Sequence, residues 1–120
     1  VETVAAAVED ARRNAADNGI ANAQFLCADA GEVKAWLDER AIRPDVAVID
    51  PPRKGCAPEV VEQIAALEPD RVVYVSCDPA TLARDIKRFA EHGYAPQWAA
   101  PVDMFPGTAH VECVVLLLKT

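Results

Sequence analysis

The 120-residue sequence lacks several features that would by themselves indicate a class of protein. No apolar run approaches the roughly 18 residues that a membrane-spanning helix needs, and the apolar end CVVLLL has only the length of a strand. None of the four cysteines forms a Cys-x-x-Cys pair, and only two histidines are present. The spacing of a metal site is therefore absent. The sequence predicts neither a membrane partner nor a metal ligand.

Basic charge is also scarce. The chain has 12 lysines and arginines against 19 aspartates and glutamates, which gives a formal net charge of −7. Because phosphate contacts require a basic surface, this charge argues against nucleic-acid binding by the chain on its own. The pattern of segments is typical of an α/β protein of the cytoplasm, where thiols stay reduced. We therefore expect a cytoplasmic protein with four free cysteines.

What the sequence does contain is a regular alternation of amphipathic and apolar segments. Apolar residues recur at helical spacing over residues 4–18, 31–41, 58–67 and 79–92. Strand-like apolar segments occupy residues 23–29, 45–53, 71–77, 94–103 and 110–119. This alternation predicts an α/β fold, namely a mostly parallel sheet covered on both faces by helices. The short link between the last two strands predicts that they pair antiparallel.

A glycine-rich turn between a strand and a helix, which lies beside the ligand in open α/β sheets, is missing. The chain begins with Val1-Glu2 and enters a helix at once. We interpret Val1-Glu2 as the tail of a strand, and residues 1–120 as a fragment of a domain without its first strand and turn. Acidic residues nevertheless end three strand-like segments, at Glu2, Asp29 and Asp50. Such strand ends are where open sheets bind their ligands.

Two motifs at strand ends carry candidate chemistry. In IDPPRKG, Asp50 ends a strand before a rigid Pro-Pro corner, a pattern that fits a plain turn as well as a binding site. In VVYVSCDPATLARD, Cys77 lies between a strand and a helix that Asp78 and Pro79 begin. The positive end of that helix favours a thiolate, whereas the charge of Asp78 opposes it. A nucleophile and an inert packed thiol are equally compatible with this motif alone.

A third motif, DMFPGTAHVEC, precedes and enters the last strand. It offers Glu112 as a general base at the edge where Cys77 lies, although an edge residue facing solvent fits equally. Cys77 and His110 also suggest a Cys-His hydrolase pair, but no oxyanion loop or third member is evident. That alternative is the weaker one.

Taken together, DPPRKG, VYVSCDPATLARD and DMFPGTAHVEC resemble the RNA (uracil-5-)-methyltransferase family in their order and spacing. The resemblance covers essentially the whole chain. It implies a Rossmann-like methyltransferase sheet, S-adenosylmethionine as cofactor, and methylation of C5 of a uridine in RNA. It favours rRNA over tRNA as the target. Any iron–sulfur cluster or RNA-binding region of the family would lie upstream of residue 1.

The resemblance also implies roles for individual residues. Cys77 becomes the nucleophile that adds to C6 of uracil, and Glu112 the acceptor of the C5 proton. Glu2 would bind the ribose hydroxyls of the cofactor, Asp29 would lie near its adenine, and Asp50 would lie between the cofactor and the base.

Other residues of the motifs are given supporting roles. Phe105 and His110 are expected to shape the pocket. Arg53 and Arg84 either contact phosphate or hold the Pro-Pro corner, and the structural role is favoured for both.

Two alternatives stay open at this point. The first is an S-adenosylmethionine-dependent methyltransferase of another target, which gives Cys77 no role, and the second is a non-catalytic α/β module. In the expected sheet the missing strand would lie at the centre, so residues 1–40 would have no direct sheet neighbour. We therefore expect this segment to be loosely held, or the chain to dimerise through its strand edges.

Overall fold

Four of the predicted strands form one mixed sheet in the computed structural model, which describes residues 1–120. The elements, in chain order, are α1 (Ala5–Asp17), a 3₁₀ turn (Ala30–Glu32), α2 (Val33–Asp38), β1 (Val46–Ile49), α3 (Pro58–Ala66), β2 (Arg71–Ser76), α4 (Pro79–Glu91), β3 (Tyr94–Val102) and β4 (Glu112–Lys119). No helix is both long and apolar enough to cross a membrane. The predicted α/β class is confirmed.

The strand order is β1-β2-β4-β3, so the last strand inserts between β2 and β3. β1 and β2 are parallel, whereas β4 runs antiparallel to both of its neighbours. The antiparallel pairing of the last two strands is therefore confirmed. Because β4 also pairs with β2, only one of the three neighbouring strand pairs is parallel. The end of β2 and the beginning of β4 consequently meet at one edge, where β1 also ends.

The core lies between the sheet and helices α3 and α4. Alternate residues of β2 and β4 are fully buried on this face, and α4 adds Phe89 to them. The Phe89 ring meets the rings of Tyr74 and Tyr94 edge-on, with centroids 6.5 and 6.0 Å away. The Tyr94 hydroxyl donates to the carbonyl of Pro69 at 2.8 Å, so its buried polar atom is satisfied.

Helices cover only one face of the sheet, which corrects the prediction that both are covered. The strand residues of the opposite face are mostly half-buried, and Val48 of the edge strand β1 is 68% exposed. Only α3 and α4 follow strands of this sheet in the chain. Because both pack on the same face and against each other, no helix covers the opposite face.

Residues 1–40 contribute no strand to this sheet, as expected. The strand predicted over 23–29 is wrong, because only one isolated parallel bridge forms there, between Glu2 and Cys27. A strand requires a partner whose backbone pairs along its length, and here only the backbone of Glu2 pairs with the segment. The helix predicted over 31–41 is also shorter, since α2 ends at Asp38 and the chain turns through Ala41 at a φ of +52°.

Candidate active site

The end of β2 and the beginning of β4 bring together the thiol and the carboxylate that the motifs singled out. The β2–β4 register ends with Ser76 opposite Cys113. Cys77 follows Ser76 directly and Glu112 precedes Cys113, so the two residues lie at the same edge of the sheet. Glu112 alternates along β4 with the core-facing Cys113, which places it on the side without helices. Both side chains are partly exposed, so a substrate can approach them.

The helix that follows Cys77 is capped by the residue next to it. The carboxylate of Asp78 accepts hydrogen bonds from the backbone N–H groups of Ala80 and Thr81, both at 2.9 Å. These bonds, led by the one from Thr81, lower the pKa of Asp78. The Ser76 hydroxyl donates to the carbonyl of Asp78 at 2.9 Å and accepts from its N–H at 3.0 Å. The corner that holds Cys77 is therefore fixed on both sides of the thiol.

Asp50 follows β1 directly, beside the end of β2, and begins the loop that runs to Pro58. Side chains of α4 hold the backbone of this loop. The Thr81 hydroxyl donates to the carbonyl of Arg53 at 2.9 Å, and the Arg84 guanidinium donates to the carbonyl of Lys54 at 2.8 Å. The loop after Asp50 and the helix after Cys77 therefore form one connected unit.

The centre of this unit is Asp85, whose side chain is fully buried. Its Oδ2 accepts from the backbone N–H of Cys56 and from the hydroxyl of Tyr74, both at 2.7 Å. Its Oδ1 accepts from Arg84 at 3.0 Å and from Arg88 at 3.1 Å. Four donors on three separate parts of the chain therefore converge on one carboxylate.

The pKa values of the buried groups agree with these hydrogen bonds. Burial alone would raise the pKa of Asp85, but the hydrogen bonds from Arg84, Tyr74 and the Cys56 N–H outweigh burial and lower it. Burial, together with the bond to Asp85, raises the pKa of Tyr74, so the phenol stays a donor. Burial also raises the pKa of the Cys56 thiol, which makes it a poor nucleophile.

Sequence reasoning missed Asp85, although a signal for it was present. It lies on the inward stripe of α4, three residues after Leu82 and four before Phe89, both of which are buried. A lone carboxylate on an apolar helical face is costly to bury unless donors surround it. Gly55 allows the loop to approach closely, because a Cβ at this position would collide with Asp85 Oδ2.

The loop from Asp103 to Val111 lies next to the capped corner. The rings of Phe105 and His110 meet edge-on with centroids 6.2 Å apart, and the charge of His110 contributes to the lowered pKa of Asp78. The Thr108 hydroxyl donates to the Phe105 carbonyl at 2.7 Å and accepts from the His110 N–H at 3.2 Å. The loop therefore folds on itself beside the segment that holds Cys77.

Glu2 and Asp29 lie apart from this cluster, in a segment whose backbone makes no hydrogen bond to the sheet. The Oε1 of Glu2 accepts from the Val4 N–H at 2.9 Å, and this bond is the main reason why the pKa of Glu2 is lowered. Asp29 caps the 3₁₀ turn by accepting from the Gly31 N–H at 2.9 Å. The structure thus brings Asp50, Cys77 and Glu112 to one edge, and places Glu2 and Asp29 beside each other in a separate unit.

Comparison with known proteins decides the family. The model of tRNA (uracil-5-)-methyltransferases matches residues 1–120. The chain belongs to this family. An uncharacterized RNA methyltransferase of Bacillus cereus is 54% identical over 120 residues, and one of Halalkalibacterium halodurans is 51% identical over 117. These matches cover 98–99% of the chain but only 26% of each relative, so the chain spans about a quarter of their length.

Solved structures agree with this membership. A tRNA (uracil-54, C5)-methyltransferase of Pyrococcus abyssi, solved in complex with S-adenosyl-L-homocysteine, superposes with a TM-score of 0.81 at 37% identity. The superposition covers 97% of the chain and 27% of that structure. A precorrin-6y C5,15-methyltransferase of Geobacter metallireducens matches with a TM-score of 0.66 at 19% identity, over 91% of the chain and 59% of that structure. This second likeness shows only that the methyltransferase fold is shared.

Proposed function

We propose that this chain carries the reaction centre of an S-adenosylmethionine-dependent enzyme that methylates C5 of a uridine in RNA. Cys77 is the nucleophile and Glu112 the proton acceptor. The observation that supports this most is the β2–β4 register, whose last pair, Ser76–Cys113, leaves Cys77 and Glu112 as the next residues on the two neighbouring segments. A thiol and a carboxylate at neighbouring strand ends can act on the same pyrimidine ring.

The chemistry requires both groups because C5 of uracil is a weak nucleophile. The Cys77 thiolate forms a bond to C6, and the electron pair of the C5–C6 double bond moves into an enolate with the C4 carbonyl, which makes C5 nucleophilic. When bound, S-adenosylmethionine supplies the electrophilic methyl group. After methylation Glu112 accepts the C5 proton, the double bond re-forms, and the C6–S bond breaks to release the thiolate.

The acidic residues of the chain suit the cofactor chemically. Glu2 and Asp29 each receive their local hydrogen bonds on one carboxylate oxygen, so the other oxygen is free, and Asp50 makes no side-chain hydrogen bond. Free carboxylate oxygens are the acceptors that ribose hydroxyls and an adenine amino group require. We propose that Glu2 binds the ribose, Asp29 lies near the adenine, and Asp50 lies between the cofactor and the uracil. The S-adenosyl-L-homocysteine of the Pyrococcus abyssi relative supports this choice of cofactor.

One experiment distinguishes rRNA from tRNA as the substrate. The sequence motifs favoured an rRNA uridine, whereas the family description and the Pyrococcus abyssi relative both name tRNA. Transfer of a labelled methyl group to unmodified tRNA and to unmodified rRNA, assayed side by side, distinguishes the two. Labelling of rRNA alone supports the prediction from the motifs, and labelling of tRNA alone contradicts it.

A mechanism-based probe tests the residue roles in the protein at its natural length. RNA containing 5-fluorouridine should form a covalent adduct with enzyme and cofactor, because fluorine at C5 cannot leave as a proton does. We expect the adduct to disappear in Cys77→Ala and to persist in Cys113→Ala, a matched control for another partly buried thiol at the same edge. With ordinary uridine, Glu112→Gln should accumulate the adduct, because the C5 proton stays in place.

The outcomes separate the remaining alternatives. An adduct that survives Cys77→Ala removes this residue from the nucleophile role. Methyl transfer to a target other than uracil, without any adduct, indicates the methyltransferase of different specificity. Absence of both cofactor binding and methyl transfer indicates a non-catalytic module. Dimerisation through strand edges stays a separate prediction, which sedimentation of the protein at several concentrations tests.

A further inference from the structure

Arg53 and Lys54 are neighbouring basic residues without an ion pair. The chain has 12 lysines and arginines, and eight of them lie within 4 Å of a carboxylate: Arg12, Arg13, Lys34, Arg40, Arg43, Arg84, Arg88 and Lys119. Arg53, Lys54, Arg71 and Lys87 remain, and all four are exposed. Only Arg53 and Lys54 are adjacent, and their side chains make no hydrogen bond. The chain therefore has one place where two uncompensated cations lie together.

These two cations lie at the catalytic edge of the sheet. They follow Asp50 and the Pro-Pro corner after β1, in the loop next to the start of α4. Arg71 lies at the opposite end of β2, and Lys87 lies in the middle of α4. In a chain of net charge −7, the acids of this edge would repel an RNA backbone. Local cations are therefore needed if a phosphate is to come close to Cys77.

The backbone under the two cations is held while their side chains stay free. Thr81 and Arg84 bond the carbonyls of Arg53 and Lys54, and Gly55 follows at a φ of +74° with its Cα against Asp85. The sequence left open whether Arg53 and Arg84 contact phosphate or hold the Pro-Pro corner. The Arg84 side chain holds the corner, whereas the Arg53 side chain makes no hydrogen bond with it. A fixed backbone that presents free cations loses little entropy when an anion binds.

We propose that Arg53 and Lys54 bind phosphodiester groups of the RNA that flank the target uridine, an inference that rests on the proposed function. The planar guanidinium of Arg53 suits two oxygens of one phosphate, and the ammonium of Lys54 suits a neighbouring phosphate as a point charge. The contact is with the backbone, so it holds the uridine at the site without reading the sequence around it.

The test compares two double variants of the protein at its natural length. Arg53→Gln/Lys54→Gln removes the proposed contacts. Arg71→Gln/Lys87→Gln removes the same two residue types, and the same charge, at exposed positions away from the edge. The Kd for target RNA and for a scrambled RNA of equal length is measured from 50 to 200 mM salt. Thermal unfolding of each variant verifies that the fold is intact.

We expect Arg53→Gln/Lys54→Gln to reduce the slope of log Kd against log salt by about 1.4 to 1.8, which corresponds to two lost phosphate contacts. Its Kd should rise by the same factor for target and scrambled RNA. The KM for RNA should rise with it, whereas kcat at saturating RNA and the KM for S-adenosylmethionine stay near the wild-type values. The Arg71→Gln/Lys87→Gln slope should match that of the wild type.

Equal slopes for the two double variants overturn the inference, as does a rise in the KM for S-adenosylmethionine alone, which assigns the cations to the cofactor carboxylate. The binding measurement does not depend on methyl transfer. A protein that binds RNA through Arg53 and Lys54 but methylates no uridine therefore contradicts the proposed function and not the phosphate contacts. If the protein methylates uridine and Arg53→Gln/Lys54→Gln leaves the salt slope unchanged, the phosphate contacts are contradicted and the proposed function is not.

Discussion

Residues 1–44 and residues 45–120 are stabilised in different ways. Of the 16 buried residues, only Val8 and Ala15 belong to the first region, and the other 14 belong to the second. The second region has the whole four-stranded sheet and the aromatic core. The first has one isolated bridge and the helices α1 and α2, and it meets the second through contacts of α2 and the 3₁₀ turn with α3 and through the Arg43–Glu68 ion pair. Few buried side chains therefore support its helices, and short helices are rarely stable in water by propensity alone.

The difference matters because the candidate residues divide along the same line. Asp50, Cys77 and Glu112 extend from strands of the packed region, so tertiary contacts hold their backbone. Glu2 and Asp29, proposed for the cofactor, lie in the other region, and their carboxylates accept hydrogen bonds only from residues within three positions along the chain. The backbone of Glu2 pairs with the segment around Cys27 of the same region and not with the sheet. The positions of the reacting groups are therefore fixed more firmly than the positions of these two carboxylates.

The largest effect on stability is expected from the buried carboxylate of the packed region. Asp85→Asn replaces one acceptor oxygen by an amide that faces donors, and it removes the charge that pairs with Arg84 and Arg88. We expect a loss of about 3 kcal/mol in the free energy of unfolding, near the lower end of the range for buried pairs because both arginines are partly exposed. Urea unfolding gives this value.

The matched control is Asp17→Asn at the end of α1, where the carboxylate is exposed and makes no ion pair. Its free energy of unfolding should stay within about 0.5 kcal/mol of the wild type. A similar loss in both variants would mean that Asp85 contributes only through its formal charge, and that the convergence of donors on it has no energetic weight.

Asp85 also illustrates what the sequence could and could not predict. The alternation of segments predicted the α/β class, and the spacing of apolar residues predicted all four strands of the sheet to within a few residues. Pro79 and Asp78 predicted the start of α4 correctly. These features depend on local chemistry and on periodicity, which a single sequence records.

The failures concern contacts between distant segments. The segment ending in Asp29 has the apolar character of a strand, but strand formation depends on a partner that pairs along it, and only Glu2 does. Likewise, the motif containing Asp85 gives no direct sign of the buried carboxylate, because the donors at Cys56 and Tyr74 become its neighbours only when the loop after β1 packs on α4. The edge shared by Cys77 and Glu112 was predictable, because both motifs lie at strand ends.

A smaller effect on the free energy of unfolding is expected from a valine-to-alanine substitution, which should act differently in the two regions. Val72 is fully buried in β2, and Val8 is 3% exposed in α1, so the two valines start from nearly equal burial. Val72→Ala should lower the free energy of global unfolding by about 2 kcal/mol, the sum of lost burial and a small cavity. Val8→Ala should leave global unfolding nearly unchanged, because alanine favours the helix by about 0.6 kcal/mol and the region opens separately.

Hydrogen exchange resolved by peptides measures both valine variants. Val72→Ala should speed exchange throughout β2 and β4, whereas Val8→Ala should speed it only within α1. Accelerated exchange of the sheet in Val8→Ala would show that the two regions unfold as one unit, and the contrast between them would then be only one of burial.

The smallest effect expected is the loss of stability of residues 45–120 as the pH falls. Hydrogen bonds hold the pKa of Asp85 below its ordinary value, so the native state favours the carboxylate more than the unfolded state does. The stabilisation is therefore complete above the ordinary pKa of about 4 and is lost as the pH falls through the lower native value. The urea midpoint should thus fall between pH 6 and pH 3, and it should fall less in Asp85→Asn, which has no carboxylate to protonate. Asp17→Asn should follow the wild type.

Asp78 and Glu68, whose pKa values are also lowered, keep some acid sensitivity in both variants. The contribution of Asp85 is therefore the difference between the two variants in the slope of the urea midpoint against pH, and not either slope alone.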